Sequence, residues 1–195
     1  MGEHYWPNWK FNRYGGRRQF QSRILLYRVG IYTDMSDYSL LFENSLTGSA
    51  SSIDTGASGI DAKDYLQIEV WARTAGGNIN CNLTFNGDTG GNYSIREQID
   101  DTTASTNVSQ ANTDNLTGTV NGEIYAVVFI LNKSDQAKLF YSQGQERPAS
   151  SGNAGNRKII TGKWVDTSAQ ITQVTANSSA NWGAESYMRI WGADA

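Results

Sequence analysis

The chain has 195 residues, 38% of them hydrophobic and 18% charged, with a net charge of −3. That length fits one well-buried core and is short for two. Six Trp, ten Tyr and six Phe with only two Pro, in a chain rich in Gly, Ser, Thr and Asn, argue for strands and turns and against a helical bundle. No apolar run approaches the roughly 20 residues that span a bilayer, so no membrane partner is expected. The single cysteine, Cys81, excludes an intrachain disulfide, and the single histidine, His4, excludes histidine-rich metal motifs.

Charge is unevenly placed along the chain. Residues 1–28 hold six basic side chains against Glu3 alone, a net of +5, while the remainder holds ten basic and eighteen acidic ones, a net of −8. The same arm carries Tyr5, Trp6, Trp9, Phe11, Tyr14, Phe20 and Tyr27. Disordered tails are poor in aromatics, so this segment is expected to order against a surface. That surface is either its own domain or a neighbouring subunit or acidic protein. Trp6, Trp9, Lys10, Arg13, Arg17, Arg18 and Arg23 form the expected docking set, because Trp, Tyr and Arg dominate interface hot spots. Nucleic acid is disfavoured as a partner, since the acidic body repels phosphates. The arm lacks the apolar stretch of a signal peptide; either the protein stays in the cell that makes it or a leader has been removed. The domain division reads as an arm over 1–35, in part a strand, and a β-domain over 36–195.

After the arm, strand signals recur. Ile24–Tyr32 and Tyr38–Glu43 read as extended. Leu66, Ile68, Val70 and Ala72 alternate with polar or aromatic neighbours, which is the period of a half-buried strand. Cys81, Leu83 and Phe85 repeat the pattern, with Cys81 expected inside, and the Ala75-Gly76-Gly77-Asn78 turn between the two runs predicts a hairpin. Ile124–Leu131 is apolar on both faces and predicts a central strand covered on each side. Shorter runs follow at Lys138–Tyr141, Lys158–Val165, Ile171–Ala176 and Tyr187–Trp191. Long loops are expected over Ser45–Asp61 and Asp100–Thr119, and a third polar connection over Gln143–Asn156. Eight to ten strands separated by Gly, Ser, Asn and Asp predict an all-β fold, a two-sheet antiparallel sandwich or jelly roll.

The most distinctive string is FNGDTGGNY at 85–93. Its Asn86, Gly87, Asp88, Gly90, Asn92 and Tyr93 predict a tight, irregular structural turn, because Asn, Asp and Gly tolerate positive φ. Asn86, Asp88 and Asn92 also offer oxygens to a cation, but one carboxylate is fewer than a calcium loop supplies, so no metal is assigned. This string, following Tyr65-Leu66-Gln67-Ile68-Glu69-Val70-Trp71-Ala72-Arg73, resembles a recurrent group of tailed-bacteriophage virion proteins. Ile171-Thr172-Gln173-Val174 and the run Asn181–Gly192 resemble the closing strands of the same group. The likeness spans about residues 38–192 and leaves out the arm. It implies a jelly-roll structural protein of the virion, made in the host cytoplasm. Such a protein is a capsid decoration or cement protein or a tail or fibre subunit, with other virion proteins as partners. It also implies a homo-oligomer, with a trimer as the state suggested by analogy.

No catalytic constellation is legible. There is no phosphate-cradling GxxxxGK[ST] and no GxGxxG after a strand, so no cofactor is assigned. Glu43, Glu69, Glu97 and Glu123 are formal candidates for a glycosidase pair, but nothing pairs them, and each reads more simply as a solvated side chain. The reading is therefore non-enzymatic. An alternative is a module that binds carbohydrate or a host receptor, with Trp71, Trp164, Trp182 or Trp191 stacking on sugar rings.

Overall fold

The computed structural model describes residues 37–100, 102, 104–149 and 155–195. Trp6, Trp9, Lys10, Arg13, Arg17, Arg18 and Arg23, and the strand expected over Ile24–Tyr32, lie outside the described residues. The described part holds eleven strands: β1 (Ser39–Ser45), β2 (Ala50–Asp54), β3 (Tyr65–Arg73), β4 (Asn82–Phe85), β5 (Tyr93–Ile99), β6 (Ser105–Gln110), β7 (Gly122–Leu131), β8 (Lys138–Pro148), β9 (Arg157–Trp164), β10 (Val174–Trp182) and β11 (Tyr187–Ala193). Among these residues no helix is long and apolar enough to cross a membrane.

The strands form two antiparallel sheets, an eight-stranded one ordered β1-β11-β3-β7-β8-β9-β5-β6 and a three-stranded one ordered β2-β10-β4. Each of the first four strands crosses to the other sheet, as do β10 and β11, which is the winding of a jelly roll. Strands β8, β9, β5 and β6 then extend the larger sheet beyond that kernel. Alternation in sequence becomes alternation in burial. In β3, Leu66, Ile68, Val70 and Ala72 face inward with at most 1% exposure. They meet Leu83 and Phe85 of β4 and Val174 and Ala176 of β10 in one apolar cluster. Cys81 lies in that core, and burial pushes its thiol up to about 12.

Segment 111–121 completes the cover. It bonds to the chain around β4 through Thr113 N to Leu83 O and Leu116 N to Cys81 O, and Ile79 and Val120 bridge each other. It then lies flat across the inner face of β8, which is possible because Gly144 has no side chain. A Cβ there would stand 2.0 Å from the Leu116 carbonyl oxygen.

Four expectations are corrected. The Ala75–Asn78 turn is not a hairpin, because β3 and β4 belong to different sheets. Gly76 and Gly77, at φ of 144° and 86°, let the chain leave one sheet for the other. Ser45–Asp61 contains β2 and Asp100–Thr119 contains β6, both written in small polar residues that carry little alternation. Strand β8 continues to Pro148, well into the expected Gln143–Asn156 connection. Strand β7 is central, between β3 and β8, but the described residues cover only its inner face.

Among the described residues, the two edge strands of the large sheet share a device. Strand β1 carries one extra residue between Leu40 and Phe42 opposite β11. Strand β6 carries one between Asn107 and Gln110 opposite β5, with Ser109 at a φ of 56°. Both are β-bulges.

Candidate contact surface on the outer sheet face

Directly paired residues share a face, so the register names the rows that the large sheet turns outward. One row runs Leu40, Trp191, Gln67, Phe129, Tyr141, Thr161. The next runs Glu43, Arg189, Glu69, Val127, Gln143, Ile159. A third runs Ser45, Tyr187, Trp71, Tyr125, Gln145, Arg157. Beyond the first row lie Tyr65, Leu131, Leu139 and Lys163.

These rows are unusually apolar for a surface. Leu40, Tyr125, Phe129, Leu139 and Tyr141 are 40–53% exposed, and they make up five of the eight exposed large hydrophobic side chains among the described residues. Tyr38, Tyr65, Phe129, Leu131, Leu139 and Tyr141 line a groove of about 430 Å³ at one end of the face. Scattered apolar side chains need no explanation, but contiguous ones mark a contact surface.

Several of the charged groups on this face already have partners. Arg189 Nε donates to Glu43 Oε1 at 2.7 Å, and its guanidinium lies 4.5 Å from the centre of the Tyr187 ring. Tyr187 stacks on Trp71 with ring centres 5.9 Å apart and donates its hydroxyl to Glu69 Oε1 at 2.9 Å. Burial first, and then the neighbouring Glu69 carboxylate, push the Tyr187 hydroxyl up to about 12. Glu123 pairs with Arg147. Three of the four formal carboxylate candidates are thus engaged here. The fourth, Glu97, sits apart on β5, paired with Lys158 and accepting from Ser105 Oγ at 2.9 Å.

The four tryptophans considered for sugar stacking separate by strand parity. Trp71 and Trp191 belong to outer rows and are half-buried. Trp164 and Trp182 are 1% and 0% exposed, so neither is available to stack on a sugar ring. Their indole N–H groups donate internally, to Asp88 Oδ2 at 2.6 Å and to the Asn80 carbonyl at 3.1 Å.

The 85–93 string is a turn held by Asp88. Its carboxylate accepts from Trp164 Nε1, from Asn92 Nδ2 at 2.9 Å and from the Gly90 N–H at 2.8 Å. Burial opposes its charge, but these donors outweigh it and hold the carboxyl below its ordinary range. Tyr93 donates its hydroxyl to the Asp88 carbonyl and accepts from the Phe85 N–H at 2.8 Å, while its ring stacks on Trp164. Asn86, at a φ of 50°, accepts from the Thr172 and Gln173 N–H groups and donates to the Gln170 carbonyl. Gly87 follows at a φ of 68°. Both Asp88 oxygens therefore face N–H donors, which is the wiring of a structural clasp and unlike that of a cation ligand.

No protein-family model, curated protein or solved structure matches the chain. The likeness to tailed-phage virion proteins rests on its motifs alone.

One buried carboxyl escaped the sequence reading. Glu146 on β8 is 6% exposed, and its Oε2 accepts from Asn156 Nδ2 at 3.1 Å, while Oε1 has no partner among the described residues and rests against Gly118. Burial and the nearby Asp100 raise its carboxyl above the ordinary range, against the pull of Asn156 and Lys158. The signal lay in the alternation Lys138, Phe140, Ser142, Gly144, Glu146, which reaches position 146 only when the strand is continued past Tyr141.

Proposed function

We propose that this protein is a non-enzymatic virion structural component, a capsid decoration or cement protein or a tail or fibre subunit, that works through contact surfaces. The observation that carries this reading is the outer face of the large sheet, where exposed rings and aliphatic side chains gather in adjacent rows. A face of that kind gains by burial, roughly 25 cal/mol for each Å² of apolar surface removed from water. The carboxylates at 43, 69, 97 and 123 already have partners, which favours structural roles for them over acid–base chemistry.

In this reading the basic, aromatic segment 1–35 is the attachment element. The +5 charge of residues 1–28 and the tryptophans there fit an acidic protein lattice, with guanidinium–carboxylate pairs adding specificity and repeated copies adding avidity. Deleting residues 1–28 and measuring incorporation into particles tests the attachment. Incorporation is expected to fall at least tenfold, and wild-type incorporation of the truncated protein would overturn the idea.

A second reading, carbohydrate or host-receptor binding, is favoured by Trp71 and Trp191 on the outer rows. A glycan array with no binding above background counts against it.

A further inference from the structure

We infer that the partner covering the outer face is a second copy of this chain, in a face-to-face sheet interface. The inference rests on the reading of that face as a contact surface and names its occupant.

Size is the first argument. Six adjacent strands, β1, β11, β3, β7, β8 and β9, carry the outward rows and are seven to eleven residues long. At roughly 4.8 Å between strands and 3.3 Å per residue, they present about 800 Å² of sheet. A standard stable interface buries about that area from each partner. A single short peptide would leave most of the face wet.

Charge is the second. Glu43 with Arg189 and Glu123 with Arg147 neutralise one another within the face, Glu69 accepts from the neutral Tyr187 hydroxyl, and Arg157 and Lys163 lie on the outward rows of β9. Both signs are thus present on the face in near balance, so a strongly basic protein or a nucleic acid would find little net field to meet there. A surface equally aromatic and equally close to charge balance suits it better, and a second copy supplies one.

Shape is the third. A two-fold interface uses the same patch on both subunits, so groove and projection must both lie on it. The groove bounded by Tyr65, Phe129 and Tyr141 is at one end of the face, while Leu40 and Tyr125 project outside the groove lining. Two such sheets would pack about 10 Å apart with strands near 30° to each other.

The test uses the full-length chain carrying Phe129→Glu and Tyr141→Glu. Both side chains are at least 40% exposed, so the fold tolerates the change. Circular dichroism and the unfolding midpoint establish that it does. Sedimentation equilibrium from 1 to about 100 μM should give wild-type protein a mass of two chains or a multiple of two, with Kd below about 10 μM, and the variant a loss of at least 100-fold in association. Wild-type protein that is monomeric at 100 μM overturns the inference, as does association that the variant leaves unchanged. Particle incorporation of the same variant separates the two ideas. A monomeric wild type whose variant fails to incorporate removes the second copy and keeps the contact surface.

Discussion

Replacing Asp88 by alanine tests whether the 85–93 turn is a clasp. The substitution strands the indole N–H of Trp164, a residue 1% exposed, and frees the donors of Asn92 and Gly90. An unsatisfied buried donor costs about 1–3 kcal/mol, and a hydrogen bond to a charged acceptor is worth about 1.5–3. These contributions overlap, so the expected loss is about 3 kcal/mol. For a domain of this size that lowers the unfolding midpoint by about 6–12 °C. Urea unfolding followed by tryptophan fluorescence at pH 7 measures the loss, with Trp164 as one of the reporters. Asp88→Asn retains one acceptor but turns an NH2 toward the remaining donors, for a loss of about 1–2 kcal/mol. The folded carboxyl sits below its ordinary value of 3.8, so its contribution is present above that pH and fades as pH falls through the lower folded value. The gap between wild type and Asp88→Asn should therefore narrow in acid. A loss below about 0.5 kcal/mol for the alanine variant at pH 7, inside the usual range for surface changes, would refute the clasp.

Two further substitutions probe the cover over β8. The Glu146 carboxyl is raised in the fold, so its contribution is complete below the ordinary value of 4.5 and is lost as pH rises through the folded one. Glu146→Gln keeps the shape of the protonated acid; it should match wild type near pH 4 and exceed it by about 1 kcal/mol at pH 8, read by denaturant midpoints. Gly144→Ala drives a methyl into the Leu116 carbonyl and should cost at least about 2 kcal/mol, with faster amide exchange across 111–121.

What the sequence made legible was parity. Leu66 to Arg73 declares its two faces, and Cys81, Leu83 and Phe85 declare theirs, because apolar and polar residues alternate there. Strand β7 was legible as a strand but not in its surroundings. Tyr125, Val127 and Phe129 are apolar enough for a core, and whether a second layer covers them is decided by topology, which puts the three-stranded sheet on the other side. Strands β2 and β6 were hidden because Ala-Ser-Ser-Ile-Asp and Ser-Thr-Asn-Val-Ser-Gln hold one large apolar side chain each. Trp164 and Trp182 read as candidates for a binding face because an aromatic ring serves equally well inside or outside. Burial tells them apart, and the indole N–H groups of both donate internally.

The bulges on β1 and β6 bear on how this molecule behaves when crowded. An unpaired edge strand is a template on which another chain can lay down its own strand, and repeated addition ends in fibres. The extra residue in each outermost strand breaks the even spacing of free N–H and C=O groups that such a template requires. Growth by edge addition is therefore discouraged at both ends of the large sheet. Copies accumulating at high concentration are steered toward contacts through side chains, which saturate, and away from contacts through backbone, which do not.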